Sequence, residues 1–125
     1  MRSVVVVLAA GLFAVGLAHA QDVASGEKVF LQCKACHQIG ETAKNGVGPV
    51  LNGLFGRKSG TIEGFNYSAA NKDAGARGLV WTEQVLLKYL EAPLSFMPGT
   101  KMAFAGLKDP QDCKDVVAYL KTFAK

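Results

Sequence analysis

The chain is short of several features that mark whole classes of protein. It has 125 residues, too few for a multidomain enzyme. Its lysines and arginines form no run and no nucleic-acid-binding motif occurs, so nucleic-acid binding is a poor interpretation. Only 19% of its residues are charged and half are hydrophobic, which argues against intrinsic disorder. No internal repeat is visible, and no stretch alternates polar and apolar residues well enough to predict a β-sheet.

The first twenty residues have the pattern of a secretory signal peptide over residues 1–20. Arg2 supplies a positive start, residues 4–17 are mostly apolar, and the segment closes on small residues at Ala20. A membrane anchor is the alternative, but the apolar run is short for a span of ~20 residues and contains two glycines. We therefore expect cleavage after Ala20, export to the periplasm, and one domain over residues 21–125.

Removal of this segment changes what the composition means. The remaining 105 residues (125 − 20) carry 13 basic and 10 acidic side chains, so the net charge falls from +4 to +3 as Arg2 is lost. A chain of this size buries only about 60–70% of its unfolded surface. Small domains often depend on a disulfide, a metal or a cofactor for stability, and export places the three cysteines in an oxidising compartment.

Helical patterns separated by glycine-rich loops predict an all-α fold. Residues 38–66 contain seven glycines and no sustained alternation, and are predicted to be loops. The clearest start signals are Thr82 and Asp109 as N-caps, with Pro110 at a first helical position. The predicted helices run from near Asp22 to the cysteine pair, over residues 69–73, from Thr82 until Pro93 ends the helix, and from Asp109 toward the C-terminal lysines.

Cys33-Lys34-Ala35-Cys36-His37 is the most informative string in the chain. The spacing C-x-x-C-H is the attachment motif of c-type haem. The two thiols can add to the two vinyl groups of the haem and form thioethers, and His37 can then bind the iron through an imidazole nitrogen. In an exported chain, this motif predicts one covalent haem c, bound through Cys33 and Cys36.

Three other uses of these cysteines stay open at this point. A thioredoxin-type redox pair expects a βαβ context, which the sequence does not show. A zinc site needs about four ligands, and Cys113 would have to approach the motif from 76 residues beyond His37. A disulfide between Cys33 and Cys36 would close too small a loop to stabilise the chain much.

The second axial ligand of the iron is only partly determined by elimination. The other histidine, His19, falls in the predicted signal peptide, so two histidines from one mature chain are excluded. The remaining options are Met97, Met102, a lysine or an open position. A methionine paired with a histidine raises the haem potential, but either methionine could instead fill a gap in the core. The sequence by itself does not choose between them.

An ordered set of motifs extends over residues 22–125 and is far more specific than the haem motif alone. The set is Gly26 with Phe30, C-x-x-C-H at 33–37, Gly48-Pro49, Gly53-Leu54-Phe55-Gly56-Arg57, Tyr67-Ser68-Ala69-Ala70-Asn71, Trp81, Tyr89-Leu90, Pro98-Gly99-Thr100-Lys101-Met102-Ala103-Phe104 and Ala118-Tyr119-Leu120. With these residues the chain resembles the class I cytochromes c, and most of all the bacterial cytochromes c2. The resemblance implies about four helices and glycine-rich loops wrapped around the haem.

The resemblance also implies an axial ligand on each side of the iron. His37 would be the proximal ligand, with the Pro49 carbonyl holding its other ring nitrogen and fixing its tautomer. Met102 would be the distal ligand, and Tyr89 would reach toward its sulfur. Met97 would be a packing residue, and Tyr89 could equally lie on the apolar face of its helix only to pack.

Further polar residues would surround the cofactor in such a fold. Arg57, Tyr67 and Trp81 would hydrogen-bond or neutralise the haem propionates. Asn71 and Thr100 would belong to a polar network on the distal side. Arg57 could instead be an ordinary surface arginine, and Trp81 a core residue whose indole N–H still needs a partner.

The implied function is soluble one-electron transport in the periplasm, without enzymatic turnover of a small-molecule substrate. By resemblance, a monomeric carrier would shuttle electrons between membrane complexes, such as a cytochrome bc complex and a photosynthetic reaction centre or terminal oxidase. Acidic patches on these partners would meet a basic docking face. Its candidate lysines, fewer than in mitochondrial-type relatives, are Lys28, Lys34, Lys101 and Lys108. A haem enzyme or gas sensor with an open distal position, and a fixed haem subunit of a larger complex, are the alternatives.

Cys113 is the odd cysteine of an exported chain, which could indicate dimerisation or a reactive thiol. Val116, Val117 and Leu120 follow it at three, four and seven residues, along one helix face. That spacing favours a partly buried, inert thiol.

Overall fold

Helices joined by long loops make up the part of the chain that the structure describes. The computed structural model describes residues 21–125 and, before them, Gly11 alone, so the predicted cleavage site at Ala20 lies outside the described residues. Within this part there is no strand, only an isolated antiparallel bridge between Lys58 and Val80, and the all-α prediction is confirmed. The helices are α1 (Val23–Phe30), α2 (Ala69–Ala76), α3 (Glu83–Glu91), α4 (Pro93–Phe96) and α5 (Pro110–Lys121). None of these helices has the length and apolar character needed to cross a membrane.

Side-chain caps begin the four longer helices. Thr82 accepts a hydrogen bond from the N–H of Val85, and Asp109 accepts one from Gln111, as the sequence predicts. Asp22 and Ser68 cap α1 and α2 in the same way. These short polar residues satisfy N–H groups that would otherwise lack an intrahelical partner.

Two helix boundaries and the number of helices differ from the prediction. Helix α1 ends at Phe30, and residues 31–36 continue as tight turns, so the cysteine pair lies beyond the helix. Helix α2 extends three residues farther than predicted, to Ala76. Pro93 stops α3 but also begins α4, a fifth helix that the prediction of about four omits. Because proline lacks an N–H and has a fixed φ, it suits the first turn of a helix as well as ending the preceding one.

Helices α1 and α5 cross in direct contact at Gly26. A Cβ atom added to Gly26 would lie 1.9 Å from the main-chain oxygen of Asp115, so the two backbones touch. The rings of Phe30 and Tyr119 pack 5.4 Å apart, and the N–H of Asp22 donates to Asp115 Oδ1 at 2.9 Å. This crossing holds the start of the cysteine-bearing turns against the C-terminal helix.

Candidate haem site

Cys33 and Cys36 lie on the turns that follow α1, immediately before His37. The N–H groups of Cys36 and His37 both donate to the carbonyl of Cys33, at 3.1 and 2.9 Å. Both sulfurs are free thiols, half-buried at Cys33 and exposed at Cys36. Burial, with a smaller contribution from Cys36, raises the pKa of the Cys33 thiol to about 11. A nucleophilic redox cysteine needs a lowered pKa, so this environment argues against a thioredoxin-type pair.

The imidazole of His37 is held in one orientation. Its Nδ1 lies 2.8 Å from the carbonyl oxygen of Pro49. A carbonyl only accepts, so Nδ1 carries the proton and Nε2 keeps a free lone pair. Burial lowers the pKa of His37, Arg57 lowers it further, and the bond to Pro49 opposes this. The neutral ring with a free Nε2 is the form that binds a metal.

Gly48 allows the chain to pass close to this ring. A Cβ atom added to Gly48 would lie 2.5 Å from Cε1 of His37 and 2.8 Å from each ring nitrogen. Any side chain here would therefore displace the imidazole. The N–H of Gly48 also donates to the Cys36 carbonyl at 2.8 Å, which ties the loop before Pro49 to the cysteine turns.

Met102, Tyr89 and Thr100 form a second cluster. The hydroxyl of Tyr89 donates to Met102 Sδ at 3.2 Å and lies 3.4 Å from Thr100 Oγ1. Thr100 Oγ1 also accepts from the N–H of Met102 at 3.3 Å. Burial raises the pKa of Tyr89, which keeps its hydroxyl protonated as a donor. Met97, in contrast, is 4% exposed and belongs to the core cluster.

Arg57 lies next to both Tyr67 and Trp81. The main-chain N–H of Trp81 donates to the Arg57 carbonyl at 2.9 Å. The guanidinium of Arg57 donates to the carbonyl oxygens of Val50 and Asn52, at 3.1 and 2.6 Å. Burial lowers the pKa of this half-buried arginine, and the neighbouring Tyr67 opposes the change. Arg57 is therefore not an ordinary surface arginine. Trp81 is buried and packs edge-on against Tyr89.

Asn71 lies in a different set of hydrogen bonds from Thr100. Its side-chain Oδ1 accepts from the hydroxyl of Ser59, and its N–H donates to Ser68 Oγ at 3.1 Å. Ser59 is a buried polar residue that the sequence reasoning missed. A serine in a glycine-rich loop has no periodic neighbours, so nothing in the sequence marks it as buried.

The four candidate docking lysines are all exposed. Lys34 stands between the two cysteines, and Lys28 lies in the last turn of α1. Lys101 Nζ donates to the carbonyl of Asn66 at 3.1 Å, and Lys108 Nζ donates to that of Ala105 at 3.0 Å. Two of the four ammonium groups are thus fixed by bonds to the main chain.

Comparison with known proteins decides the family. The family model described as Cytochrome c matches residues 23–124. The chain belongs to the cytochrome c family. It is similar to cytochrome c2 of Blastochloris viridis, with 59% identity over 117 residues that cover 90% of each chain. It also resembles the solved structure of cytochrome c2 from Rhodospirillum centenum, with a TM-score of 0.80 and 47% identity over 83% of this chain and 99% of that chain. A second similar structure is cytochrome cH from Methylobacterium extorquens, with a TM-score of 0.73 and 46% identity over 81% of this chain and 98% of that chain.

Membership in the cytochrome c family confirms the predicted fold class and the resemblance to bacterial cytochromes c2. It identifies the chain as a c-type cytochrome of electron transport, and the family implies a covalently bound haem c. The side chains of this cytochrome c fit a covalent haem. Cys33 and Cys36 offer two thiols for attachment, and His37 and Met102 offer a neutral imidazole and a thioether for the iron. Among the described residues, no group of three or more His, Cys, Asp or Glu side chains could hold a metal ion, so the zinc alternative lacks a ligand cluster.

Cys113 is expected to be unreactive in the folded cytochrome. It is 4% exposed, and its sulfur lies 3.7 Å from the Leu107 carbonyl. Burial, followed by nearby acidic side chains, raises the pKa of this thiol. Because the thiolate is the reactive form, alkylation of the native protein near neutral pH should be at least about tenfold slower than of the unfolded chain. Mass spectrometry of the labelled peptide measures this ratio, and equal rates would contradict the buried assignment.

Proposed function

We propose that the chain is a soluble periplasmic one-electron carrier that holds one haem c through thioethers from Cys33 and Cys36. The observation that carries the proposal is the placement of both free thiols directly before His37, whose Nδ1 is engaged by Pro49. His37 Nε2 and Met102 Sδ would be the axial ligands. When bound, the haem supplies an iron that alternates between the ferric and ferrous states.

The chain would keep both ligands in place in either oxidation state. Pro49 restrains the His37 ring, and Tyr89 restrains Met102 through a 3.2 Å bond to its sulfur. A ligand set that does not change requires little rearrangement during electron transfer. It would also leave no axial position for oxygen or peroxide, which favours a carrier over a haem enzyme or gas sensor. Arg57, with Tyr67 and Trp81 beside it, would neutralise the propionates.

Retention of haem on the denatured polypeptide tests this proposal. We expect acid–acetone extraction to leave the haem with the protein, and the intact mass to equal residues 21–125 plus one haem. Replacing both Cys33 and Cys36 by Ala should abolish this attachment, whereas Cys113→Ala should preserve it. Extractable haem in the unmodified protein would contradict the proposal.

The same mass measurement tests the proposed processing after Ala20. The solved cytochrome c2 from Rhodospirillum centenum is matched over 99% of its length by 83% of this chain, about 104 of 125 residues. That share is close to the 105 residues that cleavage would leave, which supports the proposal. A mature protein that begins at any residue other than Gln21 would contradict it.

A weak dependence on salt is expected for reaction with redox partners. We infer that acidic patches on membrane complexes, such as a cytochrome bc complex and a reaction centre or terminal oxidase, meet the exposed lysines near the motif. The mature net charge of +3 is modest. The second-order rate constant should fall as ionic strength rises, but less steeply than for lysine-rich relatives. Lys34→Gln should flatten the dependence and Lys125→Gln should not. A rate that is flat or rises with salt would contradict a basic docking face.

A further inference from the structure

The peptide group that joins Pro49 to Val50, called peptide 49–50 below, is held at both of its edges. Its carbonyl oxygen lies 2.8 Å from Nδ1 of His37. Its N–H donates to Oδ1 of Asn45 at 2.9 Å. Because the C=O and N–H of a trans peptide point in opposite directions within one plane, the imidazole and the Asn45 amide lie on opposite sides of this group. Together they fix the tilt of its plane.

The side-chain amide of Asn45 fits this place in only one orientation. A main-chain N–H only donates, so the N–H of Val50 requires Oδ1 as its acceptor. At the other end, Nδ2 donates to the main-chain carbonyl of Glu63 at 3.2 Å, and a carbonyl only accepts. Exchanging the two ends would set donor against donor and acceptor against acceptor. Asn45 is therefore anchored on the segment around Glu63 and holds peptide 49–50 from there.

Main-chain bonds tie the same loop on either side of this peptide group. The N–H of Gly48 donates to the carbonyl of Cys36 at 2.8 Å, and the N–H of Leu51 donates to that of Gln38 at 3.2 Å. Between them, the N–H of Val50 is bonded to a side chain instead. The tilt of that peptide group is thus the part of the loop that a single substitution can release.

We propose that Asn45 is a positioning residue for the proximal ligand, and that it sets, through peptide 49–50, the strength of the hydrogen bond from His37 Nδ1. This inference rests on the proposed function, in which Nε2 of the same ring binds the haem iron. A hydrogen bond from Nδ1 raises the basicity of a ligating imidazole. A more basic ligand gives more electron density to the iron and stabilises its ferric state.

Loss of the Asn45 amide should therefore raise the midpoint potential. Asn45 is exposed, so water can bond to the N–H of Val50 in Asn45→Ala, and the fold should be retained. That water is not anchored to Glu63 and does not hold the peptide plane at one tilt. The bond from His37 to Pro49 then weakens, the ring gives less electron density to the iron, and the ferrous state is favoured.

The sign of the change separates this route from a merely structural one. If Asn45→Ala only loosened the loop and admitted water to the haem, the more charged ferric state would be better solvated and the potential would fall. Gln38→Ala is the matched control. Its Oε1 also accepts a main-chain N–H of this loop, that of Lys44 at 3.0 Å, but this bond lies outside the peptide group that accepts from His37. Redox titration of the two holoproteins should show a raised potential for Asn45→Ala only.

Exchange of the His37 Nδ1 proton with deuterated solvent, followed by NMR of the reduced holoprotein, gives a readout that does not depend on electron transfer. Loss of one net hydrogen bond changes an opening equilibrium by about fivefold, so exchange should be faster by about that factor in Asn45→Ala. It should be unchanged in Gln38→Ala. A potential that is unchanged or lower in Asn45→Ala would overturn the proposal, as would unchanged proton exchange or equal changes in both variants. Failure of the proposed function would appear separately, as missing covalent haem in the unmodified protein.

Discussion

Met102→Ala is expected to remove the long-wavelength absorption of a thioether bound to ferric haem, and to lower the midpoint potential by on the order of a tenth of a volt or more. The sulfur of Met102 is positioned by Tyr89 at 3.2 Å, and its backbone is held by Thr100. A neutral, soft sulfur favours the ferrous state, so its removal stabilises the ferric state. Optical spectra and redox titration of the purified variant measure both changes.

Met97→Ala is the matched control for this ligand assignment. Met97 is 4% exposed within the core, five residues from Met102. Its truncation should lower the free energy of unfolding by about 2–5 kcal/mol while the absorption band and the potential stay close to those of the unmodified protein. If only Met97→Ala removed the band, Met97 would be the ligand and the present assignment would be wrong.

The sequence predicted the helix starts that depend only on neighbouring residues. Thr82 and Asp109 were predicted as N-caps because a short polar side chain can accept from N–H groups two or three residues ahead, and both do so. The end of α1 at Phe30 could not be predicted in this way. The following turns retain helix-like bonds, such as Cys33 N–H to the Phe30 carbonyl at 2.8 Å, and no glycine or proline marks the boundary.

The two methionines show where the reasoning needed more than local pattern. Both are thioethers near a proline-glycine turn, and helical periodicity does not distinguish them. The resemblance favoured Met102, and the structure adds that Tyr89 donates to the sulfur of Met102 while Met97 packs in the core. Ser59 was missed for a similar reason, because its burial depends on the close approach of Gly75 from α2. Contacts between segments that are distant in sequence leave no periodic trace.

Gly26→Ala is expected to lower the free energy of unfolding by about 3 kcal/mol or more. The added Cβ atom would lie 1.9 Å from Asp115 O and 2.9 Å from Tyr119 Cβ, whereas ordinary contacts begin near 3.4 Å. The nearest atom belongs to the backbone of α5 and cannot turn aside. Helices α1 and α5 would have to separate by about 1.5 Å (3.4 − 1.9), which weakens the packing of Phe30 on Tyr119.

Gly46→Ala provides the control for this substitution, since it makes the same chemical change without the clash. There the nearest atom, the Cys36 carbonyl oxygen, would lie 3.6 Å from the new Cβ, an ordinary contact. Its effect on the free energy of unfolding should stay within about 0.5 kcal/mol. Denaturant unfolding of both variants, followed by far-UV circular dichroism, separates the two cases. Equal stability of the two variants would mean that α1 and α5 do not touch at Gly26. The cysteine turns would then lose their support on α5, because they begin only one residue after the Phe30 contact.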